Sequence, residues 1–195
     1  MNFLAHQFLS FGERGLQIGN LYGEIVRAKE YLQYPDDIQK GILLHRAIDS
    51  YTDSHPTVKH STSLFHNKYG KYAPVIVDVL YDYFLIKNWK KYSEELFEDF
   101  VNNCYRLFEE NLPTFPENLQ FIMQHLLKND WFRNYATTAG IHETLYGLSR
   151  RSKFKNNIDE AVNELIRFET MLDEDFNLFF PDLIRHCKSF IKSKS

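Results

Sequence analysis

Cysteine is scarce: Cys104 and Cys187 are the only two in 195 residues, far apart and in no metal-ligand spacing. A thiolate zinc site is thereby excluded, and a reducing cytoplasm fits. Neither sign of charge dominates. Twenty-three Lys and Arg against 26 Asp and Glu give a formal charge of -3, so global electrostatics provide no drive toward nucleic acid. No apolar run approaches the roughly 20 residues of a membrane helix. The start, Met1-Asn-Phe-Leu-Ala-His6, lacks the basic region and long apolar run of a secretory signal. The expectation is a soluble cytoplasmic protein with no membrane and no nucleic-acid partner; oligomeric state is not readable. Strict apolar/polar alternation, Asn-Gly hairpin signals, internal repeats and low-complexity linkers are all missing, which argues against strands.

What is present is helical. Apolar residues make up 44% and aromatics 16%, with 17 Phe and 12 Tyr, enough for a substantial core in one domain. The spacing predicts an all-α fold of eight to ten helices, a single compact multi-helix domain over residues 1–195. A metal-site core of about 1–92 precedes the remaining helices of about 93–195. Leu16–Lys29 reads as a helix with Gly19 and Gly23 on one smooth face, suited to close approach of a backbone or ligand. Pro35-Asp36-Asp37 opens the next helix, Pro56 stops it, and Pro74 starts an almost wholly apolar one reaching Trp89. Ser93 is the expected N-cap of a helix ending near Asn111. Asn156–Phe180 is long and periodic, and Pro181 is expected to interrupt it.

The chain is organised around Gly41-Ile-Leu-Leu-His45-Arg-Ala-Ile-Asp49-Ser-Tyr-Thr-Asp53. His45 and Asp49 lie four apart and share one helix face. Such a pair binds a metal, moves a proton or satisfies itself, and spacing alone does not choose. Asp78 and Asp82 are also four apart, on the apolar helix, where unpaired carboxylates are expensive. A divalent cation shared by His45, Asp49, Asp78 and Asp82 resolves that cost, and so does an arginine such as Arg27 or Arg46. Imidazole and carboxylate donors suit Mn²⁺, Mg²⁺ or Fe²⁺ better than a structural zinc. A water bound to the cation gains acidity and can attack phosphorus. His6 and Glu24 are candidates to complete the shell or handle protons, and Arg46 to steady a phosphate. Arg150, Arg151 and Lys153 form a basic cluster that suits phosphate, an acidic partner or a helix C-terminus.

Several motifs in one order carry a resemblance. Asn2-Phe-Leu-Ala-His6, Gly19-Asn20-Leu21, Val26-Arg27, His45-Arg46, Ile48-Asp49, Thr52-Asp53, Asp78-Val79, Asp82 with Phe84-Leu85, Trp89 and Ser149-Arg150-Arg151 together resemble the acyl carrier protein phosphodiesterases. The resemblance implies an all-helical, HD-domain-like fold, distantly related to the HD phosphohydrolases. It implies a Mn²⁺-dependent hydrolase, part of lipid metabolism, that removes 4′-phosphopantetheine from holo acyl carrier protein. It also implies that the basic cluster meets the acidic carrier. The chain has Glu24 where that family commonly has Asp, and Tyr83 where it commonly has His. A hydrolase of another phosphoester and a non-catalytic carrier-binding homologue are the alternatives.

Overall fold

A computed structural model describes residues 2–152, 154 and 156–194. Among the described residues there are helices and no strands. Helices α1 (Phe3–Phe8), α2 (Arg14–Gly23), α3 (Asp36–Ser54), α4 (Pro56–Tyr69) and α5 (Ala73–Lys87) come first. The short α6 (Trp89–Tyr92), α7 (Phe97–Asn111), α8 (Glu117–Lys128), the short α9 (Trp131–Asn134), α10 (Thr138–Arg151) and α11 (Val162–Ser193) follow. The all-α expectation holds.

Two helices occupy the centre. Along α3, Ile42, Leu44 and Ile48 are fully buried, and the helix packs against α2, α4 and α11. On α5, Ile76, Val77, Leu80, Tyr81, Phe84 and Leu85 are fully buried, against α1, α4, α10 and α11. A largely apolar surface is what makes α5 an interior helix.

The α2–α3 contact is backbone on backbone. A Cβ at Gly19 would lie 2.3 Å from the Ile38 carbonyl oxygen and 2.6 Å from Gly41 Cα. Only two glycines facing each other permit that approach.

Three boundaries differ from the sequence reading. Helix α2 stops at Gly23 rather than Lys29, because Ala28 turns left-handed (φ 41°) and Arg46 takes the Val26 and Ala28 carbonyls. Ser93 does not cap α7, whose N-cap is Leu96; its Oγ accepts instead from the Glu95 N–H. Helix α11 runs unbroken through Pro181. An interior proline costs about 3 kcal/mol. Phe176, Phe179 and Phe180 before it and Leu183 and Cys187 after it are all buried, at about 1.5–3 kcal/mol per large apolar side chain. Tertiary burial therefore outweighs the break.

Gly19→Ala is expected to destabilise the protein by about 2 kcal/mol, since the neighbour is rigid backbone. Gly147→Ala on α10, where an added Cβ meets nothing within 4 Å, should be neutral or stabilising by up to about 1 kcal/mol. Urea unfolding of both variants checks the contrast.

Candidate metal centre

Three side chains from two helices converge. His6 of α1 and His45 of α3 are buried, with ring centroids 4.2 Å apart and planes 25° from parallel. His6 Nε2 lies 3.1 Å from Asp49 Oδ1, and His45 Nε2 lies 3.2 Å from Asp49 Oδ2. Each residue offers a donor atom within 4.8 Å of the others, a group that could hold a metal ion. Asp49 is 42% exposed, so the group opens to solvent on its carboxylate side.

A third helix, α2, supplies the orientation. Asn20 Nδ2 donates to the His6 carbonyl (3.3 Å) and to Ser10 Oγ (2.8 Å), and Ser10 Oγ donates to that same carbonyl (2.9 Å). A flipped amide would set an oxygen against those acceptors. Asn20 Oδ1 therefore faces His6 Nδ1 at 2.9 Å, and Nδ1 carries the proton. A neutral His6 then presents the Nε2 lone pair to a carboxylate oxygen. Two acceptors in contact require a cation between them, a proton or a metal.

The proton is disfavoured. Burial and the neighbouring His45 hold His6 below its ordinary pKa, against the pull of Asp49. Burial also works against the Asp49 carboxylate, yet the two imidazoles facing it hold it well below the usual range. Separations of 3.1 and 3.2 Å match the about 3 Å edge between neighbouring ligands at bond lengths of about 2.1 Å. An outer N–H held by an amide carbonyl is the usual support of a metal-binding histidine. The donor set thus fits a divalent cation. His45 itself rests on α2: a Cβ at Gly23 would lie 2.3 Å from its Cγ.

The remaining sequence-derived candidates separate. Among the described residues, Asp78 and Asp82 are not in the metal-capable group. Asp82 is fully buried, and its two carboxylate oxygens accept from the Leu4 and Ala5 N–H groups (3.1 and 3.2 Å). It caps α1, whose N-cap residue Asn2 donates its side-chain amide to Tyr135 instead. The carboxylate thus holds the helix that carries His6. Asp78 is half-buried and lines a cavity with Asp53. The Arg46 guanidinium donates to the Ala28 and Val26 carbonyls (2.7 and 3.2 Å) and lies over Tyr31; it braces the loop after α2. Glu24 is half-buried and follows directly on Gly23. Tyr83 OH donates to Glu169 Oε1 (3.0 Å) on α11, so that position serves helix packing. Arg150 and Arg151 are exposed in the last turn of α10, the first over Tyr146, the second donating to the Gly147 carbonyl. Lys153 lies outside the described residues.

Asn20 is the site residue for which sequence reasoning supplied no role. Its signal in the sequence was its place in the Gly19-Asn20-Leu21 motif, which carried the resemblance without a role for the amide.

The comparisons with known proteins give the family. The acyl carrier protein phosphodiesterase family profile matches residues 1–183. This chain belongs to that family. An acyl carrier protein phosphodiesterase of Photorhabdus laumondii is 31% identical over 193 residues, 97% of this chain and 96% of the relative. That of Yersinia enterocolitica is 30% identical over 185 residues, covering 94% and 96%, and that of Yersinia pestis 29% over 189 residues, covering 96% and 98%. No solved structure matches the chain significantly. As a member of this family the chain is a phosphodiester hydrolase. Among the described residues no helix is long and apolar enough to cross a membrane.

Burial pushes the Asp82 carboxyl up to about 7, only partly countered by the Ala5 and Leu4 N–H groups. An unfolded Asp titrates near 3.9, so between about pH 4 and 7 the folded state binds the extra proton. Its contribution to stability is therefore greatest below pH 4 and is lost as pH rises to 7. Relative to Asp82→Asn, the wild type should lose stability across that window and run parallel above it. Urea unfolding at several pH values measures the difference.

Proposed function

We propose that the protein is a divalent-cation-dependent phosphodiesterase that hydrolyses 4′-phosphopantetheine from the serine of holo acyl carrier protein, giving the apo carrier. The observation that carries the metal dependence is the locked His6 tautomer, whose lone pair meets a carboxylate. His6, His45 and Asp49 would hold the cation, with Mn²⁺ as the expected ion and Mg²⁺ or Fe²⁺ as alternatives. When bound, such an ion polarises a phosphoryl oxygen and acidifies a water.

Each candidate site residue then has a part. Asn20 keeps the His6 proton on Nδ1, so His6 acts as a ligand rather than a proton carrier. Glu24 is assigned as the base that takes the proton of the attacking water. The water oxygen joins phosphorus, the bond from phosphorus to the serine oxygen breaks, and that oxygen takes up a proton. Arg46 acts as a positioning residue, steadying the Val26–Ala28 backbone beyond Glu24. Asp82 positions α1, and Asp78 faces the substrate side with Asp53. The exposed Arg150 and Arg151, together with Lys153, would attract the acidic carrier and raise its encounter rate.

Purified protein should bind one divalent ion, lost in His45→Ala and Asp49→Ala. Asn20→Ala should bind it about 10–100-fold more weakly; metal analysis and Mn²⁺ titration report both. Mass spectrometry of holo carrier incubated with protein and Mn²⁺ should show loss of the phosphopantetheine mass. Cleavage of small phosphodiesters alone would move the activity to another phosphoester. Complex formation without product would make the protein a binding module.

A further inference from the structure

Helix α11 lies across the surface between two ionic flanks. On one side Glu164 and Asp175 meet Lys68 and His60 of α4 (3.2 and 2.7 Å). On the other, Glu169 and Asp173 meet Lys87 of α5 (2.9 and 3.3 Å). Between the flanks Arg167, Met171, Glu174, Leu178 and Arg185 are exposed, and Asp182 is half-buried at their edge. Steps of three and four keep these residues in one stripe along the helix, the spacing of a seam between two helices. Met171 and Leu178, 41% and 67% exposed, stand two turns apart in the middle of the stripe, with charged residues at both ends. An apolar centre inside a charged rim is the anatomy of a protein interface.

The stripe is complementary to itself when reversed. In a two-fold pair the two copies of α11 run antiparallel, and each contact occurs twice. With the axis beside the point between Glu174 and Asp175, Met171 meets Leu178 of the second copy. Arg167 meets Asp182, and Arg185 meets Glu164 of the acidic first turn. Within one copy Asp182 already pairs with Arg185, so in the pair it lies between that arginine and Arg167 of the second copy. Glu174 stands opposite Asp175, a carboxylate already answered: its Oδ2 accepts from Ser61 Oγ (2.7 Å) and adjoins His60 Nδ1. The His60 ring is 53% exposed and offers Glu174 of the second copy an imidazole on the same flank. Apolar groups thus meet apolar groups, and the charged pairs at both ends are opposite in sign. A parallel pair in register would instead set Arg167 against Arg167 and Glu174 against Glu174, and like charges across an interface are costly.

We propose that the protein forms a two-fold dimer through the exposed stripe of α11, with Met171 and Leu178 as its apolar centre and Arg167–Asp182 as its repeated ion pair. The inference goes beyond the hydrolytic reading and stands without it. A seam one helix wide belongs to the small end of specific interfaces, with a Kd on the order of 10 µM. Sedimentation velocity of the full chain from about 1 to 200 µM should show the mass rise from one chain toward two. Leu178→Asp should weaken the dimer at least about tenfold, with circular dichroism as in the wild type. Met171→Asp is the second variant should Leu178→Asp fail to fold. Arg167→Asp sets like charges across the seam twice, and Asp182→Arg does the same, so each alone should sediment as a monomer. An equimolar mixture of the two should recover the dimer, because opposite charges then face each other at both ends. A wild type that stays monomeric throughout the range would overturn the proposal. So would a dimer undiminished in the folded Leu178→Asp or Met171→Asp variant, or two folded charge variants that do not associate on mixing.

Discussion

The contact between Gly19 and Gly41 sets the dimensions of the site. With a Cβ at Gly19 only 2.6 Å from Gly41 Cα, the two helix backbones meet without side chains between them. That separation puts Gly23 against the His45 ring one turn later, and leaves Asn20 on the side of α2 that faces His6. A side chain at Gly19 or Gly41 acts on the metal group through this spacing, although neither glycine is part of it. The seam is rigid because its atoms are backbone, and backbone cannot change rotamer to make room.

The second constraint is the position of α1, a helix of six residues and too short to be stable by itself. Asp82 supplies what its own N-cap does not, satisfying two of its first amide donors and placing negative charge at the positive end of the helix. A buried carboxylate is an expensive cap. Its raised pKa is the measure of that expense. The return is a fixed direction for α1, and so for the His6 ring, with the stacked His45 and Asn20 as the other two walls.

Much of the fold was legible because its signals are local. Proline and acidic residues at Pro35–Asp37, the stop at Pro56 and the apolar run after Pro74 each act over a few residues, and the helices start and stop close to them. Pro181 misled because its local effect is overruled by burial on both sides, which no window of sequence reports. The site was legible in kind and partly in membership. The i, i+4 pair His45/Asp49 and the early His6 converge, since one helix turn guarantees the first and an aromatic neighbourhood buries the second. Asp78 and Asp82 share the same spacing but not the same destination. Spacing fixes which face of α5 they occupy, not which helix comes to meet it. For Asp82 that was the N-terminus of α1, whose amides compete for a carboxylate as well as a cation does. Asn20 was missed because an amide's role depends on what it holds, and its partners are 10 and 14 residues away.

His6 and His45, beside Asp49, make an arrangement that a cation would satisfy. The lone pair of His6 faces a carboxylate, the rings of two buried imidazoles overlap, and His45 Nδ1 is buried with no hydrogen-bond partner among the described residues. Buried polar groups left in this state cost about 1–3 kcal/mol each. The seam of glycines, the capped α1 and the aromatic core hold them in place against that cost. A ligand that binds only the folded state adds about 2.7 kcal/mol at a hundred times its Kd, comparable to what the preorganisation forfeits. A cation held there would tie stability and function through the same three donor atoms. The group opens to solvent at Asp49, the side from which both an ion and a phosphodiester would approach.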